Sequence, residues 1–159
     1  MFIDGHAVYD SLSPAMQGLL EGLTCIHDDA RGDKSAEHPV VRTHPDTGRP
    51  ALFVNKQFSR RIPQLSRPES QMLLSYLFRW QEQVQFSARW RWSPGDVVMW
   101  DERVTLHIMV NDTEGRRELR RVSVLGDRPA AHAPGAIGEP FGLPKTASSG
   151  FYGIGSYEF

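Results

Sequence analysis

The chain predicts a mainly β fold, an antiparallel β-sandwich or jelly roll with helical insertions. Three observations carry this. Residues 86–92 alternate, Phe86, Ala88, Trp90 and Trp92 against Ser87, Arg89 and Arg91, which is the period of a strand with one buried face. Two short β-type runs, 40–43 and 51–54, flank Pro45-Asp46-Thr47-Gly48. Proline fixes φ and glycine permits φ > 0, so the segment reads as a hairpin. Further β-type runs at 97–100, 104–110 and 119–125 place several strands late in the chain.

Taken in order, residues 6–26 have helical spacing, with Ala7, Val8, Leu12, Met16, Leu19, Leu20 and Leu23 near one face. Ser13-Pro14 interrupts the run and suits a new helix start. Residues 28–37 (DDARGDKSAE) are charged and nearly free of apolar groups, and predict a solvated loop. The clearest helix is 66–83. Ser66 and Glu69 have capping-box spacing, Leu73, Leu77 and Trp80 form a stripe, and Leu74 and Phe78 flank it. Ser93-Pro94-Gly95-Asp96 reads as a turn. The segment 130–159 has six Gly and three Pro with little periodicity, and predicts an extended or mobile tail after a domain spanning 1–129.

Composition bounds the function. The 159 residues carry 18 Lys plus Arg and 19 Asp plus Glu, a net charge of -1. This argues against nucleic acid or a membrane surface as partner, where a basic excess is expected. The single cysteine, Cys25, excludes a disulfide framework. The start of the sequence shows no basic region followed by an apolar run, and no stretch approaches the length of a bilayer span. Together these point to a cytoplasmic protein.

Strand parity isolates the candidate chemistry. Thr105, His107 and Met109 share one face of their strand; Arg117, Leu119, Arg121 and Ser123 share one face of the next, and Arg116, Arg120, Val122 and Val124 the other. Arginines four residues apart on a strand are roughly 13 Å apart on one side. Facing inward, they would need planar anions such as carboxylates, and with His107 could hold a metal and acidic ligands. The alternative is an ordinary structural histidine and a solvated edge strand with snorkelling side chains. Arg89-Trp90-Arg91-Trp92 is explained by strand alternation rather than by nucleic-acid stacking. His38 and His44 stand roughly 20 Å apart if extended and cannot share an ion. Cys25 reads as core packing, and Asp96 and Asp101 as turn caps.

One ordered set of motifs runs through His38-Pro39-Val40-Val41-Arg42-Thr43-His44-Pro45, Gly48, Leu52-Phe53-Val54-Asn55, Phe58 and Arg61-Ile62. It continues in Trp90-Arg91-Trp92, Pro94-Gly95-Asp96, Trp100-Asp101, Arg103, Thr105, His107, Arg117, Arg121 and Gly126-Asp127-Arg128-Pro129. The resemblance these motifs carry is to the C-terminal portion of the taurine dioxygenase-like (TauD/TfdA) family of Fe(II)/2-oxoglutarate-dependent dioxygenases. It implies a double-stranded β-helix, Fe(II) held by two histidines and a carboxylate, 2-oxoglutarate as cosubstrate, and hydroxylation of a small organic acid, a sulfonate or carboxylate. Residue by residue, it implies His107 as an iron ligand, Arg117 as the partner of the far 2-oxoglutarate carboxylate, and Arg121 as the holder of the substrate's acidic head.

The sequence departs from the family pattern in places. The implied His-x-Asp ligand pair would lie upstream of the helix near His6, where this sequence carries none. The expectation is therefore a chain that lacks N-terminal strands of the jelly roll. Asp4-Gly5-His6 is the reverse order, and the match places it at a helix edge. Glu102 stands where many members have Asn, and Ile108 where a tyrosine or small residue is common. Missing strands would expose apolar faces, with Phe53, Trp90, Trp92 and Val122 as candidates; a second copy (a homo-oligomer) or a separate N-terminal piece would cover them. Two other functions compete with the dioxygenase: a non-catalytic remnant or subunit that binds no iron, and a binding module for acidic ligands through Arg117 and Arg121.

Overall fold

The computed structural model describes residues 1–29, 34–112, 114–115, 118–132 and, as backbone, 152–158. Among these the chain is mostly β with few helices. The elements are β1 (Phe2–Asp4), α1 (Gly5–Asp10), α2 (Pro14–Leu20), β2 (Thr24–Asp28), β3 (Ser35–Pro39), β4 (Val41–Thr43), β5 (Pro50–Leu52) and β6 (Ser59–Arg61). They continue as α3 (Arg67–Gln81), a 3-10 turn at Val84–Phe86, β7 (Ser87–Ala88), β8 (Thr105–His107), β9 (Glu118–Ser123), β10 (Ala130–Ala131) and β11 (Tyr152–Glu158). The strands form four small sheets, in the orders β7-β1-β8, β3-β2-β6, β10-β4-β5 and β11-β9. All described pairings are antiparallel.

The predicted hairpin is β4–β5, with Val41 opposite Leu52 and Thr43 opposite Pro50. Gly48 turns it at φ 69°, a conformation that glycine adopts without strain. The predicted helix is α3. The Glu69 carboxylate accepts from the Ser66 backbone N–H at 2.9 Å, satisfying an orphan donor at the helix start. Its inward residues Leu73, Leu74 and Leu77 are buried. They join Ile3, Val8, Leu12, Leu20, Cys25, Val40, Val54 and Ile62 in one core.

The first helical run is split and shortened. Asp4 caps α1 by accepting from the N–H groups of His6 and Ala7, and Ser13 caps α2 with Pro14 in its first turn. The helix does not continue to residue 26. Glu21 is extended, Gly22 turns at φ 79°, and Thr24–Asp28 leaves as β2. Residues 35–39, placed by the sequence in a loop or at its end, instead pair with β2 as β3.

The alternating run 86–92 is not one strand. Phe86 closes the 3-10 turn, only Ser87–Ala88 pair with β1, and Trp90 stays 51% exposed with its indole N–H on Asp96. The run has the period of a strand, but beyond residue 88 no backbone among the described residues pairs with it. Residues 97–100 likewise form no strand, and the predicted strand 104–110 is reduced to β8. Within 130–159, Ala130–Ala131 pairs with β4 and Tyr152–Glu158 with β9. Among the described residues no helix is long and apolar enough to cross a membrane.

Candidate functional site

β1 positions the site. Its antiparallel pairing with β8 sets Phe2 opposite His107, Ile3 opposite Leu106 and Asp4 opposite Thr105. Below it the backbone approaches closely. The Gly5 N–H donates to the Val104 carbonyl at 2.8 Å, and a Cβ on Gly5 would stand 2.8 Å from that oxygen and 3.1 Å from the Leu52 carbonyl oxygen. A residue without a side chain is required there.

His107 and Arg121 meet. Nη1 of Arg121, on β9, lies 3.4 Å from Nε2 of His107, on β8. The exposure of β9 alternates as parity predicts, with Leu119, Arg121 and Ser123 the less exposed set. Arg121 Nη2 also donates to Glu102, whose carboxylate is 3.9 Å from Nδ1 of His107. The Trp100 ring stands 5.2 Å from the imidazole and 5.0 Å from the Phe2 ring. Burial lowers the His107 pKa, the Arg121 cation lowers it further, and Glu102 acts in the opposite sense. The imidazole is thus biased toward its neutral form, the form that can bind a metal. A cavity of about 490 Å³ beside β1 is lined by Phe2, Phe86, Ala88, Trp100 and Thr105, among others. Arg117, the other predicted anion holder, lies outside the described residues.

A second cluster anchors the segment that leads into β8. The Asp101 carboxylate accepts from the Arg103 N–H at 2.9 Å, from the Arg103 guanidinium at 2.7 Å and from Nε2 of His44 at 3.0 Å. His44 Nδ1 accepts from the N–H groups of Asp46 and Thr47, so its proton sits on Nε2, toward Asp101. Arg103 reaches Asp46 at 2.8 Å. The hydrogen bonds from Arg103, with those from His44 adding to them, hold Asp101 well below the usual carboxylate range. Buried Arg42 pairs with Asp127 at 2.7 Å. Burial lowers the Arg42 pKa while Asp127 opposes the shift. The backbone carbonyl of Asp101 accepts from Thr105 at 3.0 Å, so the cluster fixes the turn on which Glu102 stands and from which β8 departs.

The sequence read Asp101 as a turn cap and as part of the family match, without a partner. It caps the turn and also anchors this network. Nothing local in the sequence joins His44 to Asp101, which are 57 residues apart. Asp4 and His6 are spent on structure. Asp4 caps α1, and the His6 ring donates from Nδ1 to the Pro50 carbonyl at 2.6 Å. His38 lies against the His27 and Phe53 rings, and His44 against His6, so His38 and His44 do not form a pair.

Among the described residues no group of three His, Cys, Asp or Glu side chains is placed to hold a metal ion. Nε2 of His107 faces a guanidinium and Glu102 is paired to that same guanidinium. The described residues therefore offer one imidazole, which does not fit a three-donor iron site by itself.

The family model for the taurine catabolism dioxygenase TauD, TfdA family matches residues 1–123. An alpha-ketoglutarate-dependent 2,4-dichlorophenoxyacetate dioxygenase of Cupriavidus pinatubonensis is 38% identical over 143 residues, covering 79% of this chain and 50% of that protein. An alpha-ketoglutarate-dependent sulfonate dioxygenase of Saccharomyces cerevisiae is 32% identical over 146 residues, covering 81% of this chain and 35% of that protein. The solved structure of a taurine dioxygenase from Burkholderia xenovorans superposes with a TM-score of 0.63 at 32% identity, over 65% of this chain and 38% of that one. The chain thus spans half or less of the length of these relatives. With a family model matched over most of its residues, this chain belongs to the TauD/TfdA family of dioxygenases.

Proposed function

We propose that the chain forms the C-terminal portion of an Fe(II)/2-oxoglutarate-dependent dioxygenase that hydroxylates a small organic acid, a sulfonate or carboxylate. In this reading His107 is one iron ligand, Arg117 pairs with the far carboxylate of 2-oxoglutarate, and Arg121 holds the acidic head of the substrate. The remaining iron donors come from outside the described residues, and the small sheets are parts of a jelly roll. The bound iron and cosubstrate supply the oxidising chemistry. The chain's own residues bind and orient: the imidazole as a neutral donor, the guanidinium groups as planar partners for acids.

The observation that carries the reading is the meeting of His107 and Arg121 at 3.4 Å from separate strands. A cationic anion-holder beside a neutral imidazole is the arrangement that an acid presented to a metal needs. The names of the relatives, dioxygenases of a sulfonate and of a chlorophenoxyacetate, support an acidic substrate.

The test reads weak metal contact directly. Fe(II) is titrated anaerobically into the isotope-labelled chain and histidine ring signals are followed by NMR. His107 should broaden at lower iron when 2-oxoglutarate is present, and Arg117→Ala should remove that dependence on 2-oxoglutarate. Equal broadening of His107 with and without 2-oxoglutarate would overturn the assignment.

A further inference from the structure

Arg121 is not a free cation. One of its terminal nitrogens donates to Glu102 and the other faces Nε2 of His107 at 3.4 Å. Both ends of the fork that would grip a planar acid are engaged by this chain's own side chains. Glu102 stands on the turn fixed by Asp101 and Arg103 and is 3.9 Å from His107 Nδ1, so one carboxylate spans both groups. The three side chains remain reachable, at 39% exposure for Arg121, 43% for Glu102 and 41% for His107.

An acid entering such a site meets a guanidinium whose charge is already countered. It must displace the Glu102 carboxylate, leaving that carboxylate unpaired, or else share the guanidinium with a second anion. We propose that Glu102 is a specificity-determining residue that competes with the acidic head of the substrate for Arg121. The inference rests on the reading of Arg121 given above. It deepens that reading: the acid subsite of this protein is internally occupied, and its affinity for simple singly charged acids is held down.

The test uses propanesulfonate as probe and the Arg121 Nε–H NMR signal of the 159-residue chain as readout. Wild type, E102Q, R121A and the E102Q/R121A double variant are compared, the last two through the ring signals of His107. E102Q keeps the size of the side chain and removes its charge, so the turn is preserved; E102A checks that the result does not depend on the amide. The expected result is a midpoint lower by about fivefold in E102Q and E102A, the scale set by a partly exposed ion pair. The gain should vanish in the double variant. Equal midpoints in wild type and both Glu102 variants, or no saturation in any of them, would overturn the proposal. A gain that persists without Arg121 would overturn it as well. Failure of the proposed function is read separately, in the iron and 2-oxoglutarate titration of wild type and Arg117→Ala, in which Glu102 is left unaltered.

Discussion

Consider Asp101→Ala. Its carboxylate accepts from the backbone and guanidinium of Arg103 and from His44, contacts of 2.7–3.0 Å. Hydrogen bonds to a charged group contribute about 1.5–3 kcal/mol each when well formed. Two features reduce the sum. The Asp101 side chain is 34% exposed, and Arg103 keeps Asp46 as a second partner at 2.8 Å. A net loss of about 2 kcal/mol follows, or a fall in Tm of about 4–8 °C for a chain of this size. The contribution depends on pH with a definite sign. The folded pKa of Asp101 lies below its unfolded value, so the stabilisation is fully present above about pH 4 and is lost as pH falls further, through the folded pKa. Thermal unfolding followed by circular dichroism at pH 7 and at pH 3 is the assay. The gap between wild type and variant should be open at pH 7 and narrower at pH 3. A Tm unchanged at pH 7, or a gap equally wide at pH 3, would show that the Asp101 carboxylate does not anchor the turn.

Two more perturbations bear on the same frame. Gly5→Ala drives a methyl group into the carbonyls of Val104 and Leu52, which are backbone and cannot swing aside. The variant should lose about 1–3 kcal/mol in urea denaturation and shift the His107 ring signals; an unchanged midpoint would contradict the close approach. His27 is held down to about 4 by burial, with His38 and Arg60 adding to the shift. Its folded pKa is below the unfolded value of about 6.5, so between those values the unfolded chain takes up a proton that the folded chain refuses, and stability declines as pH falls. An NMR titration midpoint near 6.5 would show that the ring is not buried as described.

Much of the frame was legible because its signals are local. The Ser66–Glu69 capping spacing and the Leu73–Leu77 stripe predicted α3, and Pro45–Gly48 predicted the β4–β5 hairpin. Parity grouped Arg121 with Leu119 and Ser123, and the structure makes that set the less exposed face of β9. The end of α2 was also readable, since Gly22 followed by Thr24 and Ile26 is a helix stop followed by β-branched residues, yet the apolar spacing through Leu23 obscured it. The exposed Trp90 shows the opposite failure. Alternation reports a face that could be buried, and only a pairing partner makes it a strand. The ion network could not be read from the chain, because Arg42 and His44 meet Asp127 and Asp101 only through tertiary structure. Glu102 was visible as a departure from the family pattern and Arg121 as a match to it, but the contact between them was not.

The proposed role of His107 is that of an iron ligand in a site built jointly with residues beyond those described. The decisive experiment joins the N-terminal half of the Cupriavidus pinatubonensis relative to Met1 and adds Fe(II) and 2-oxoglutarate without oxygen. The expected result is a weak visible charge-transfer band that is lost in His107→Ala. A folded fusion that shows no band, or one whose band survives His107→Ala, would contradict it.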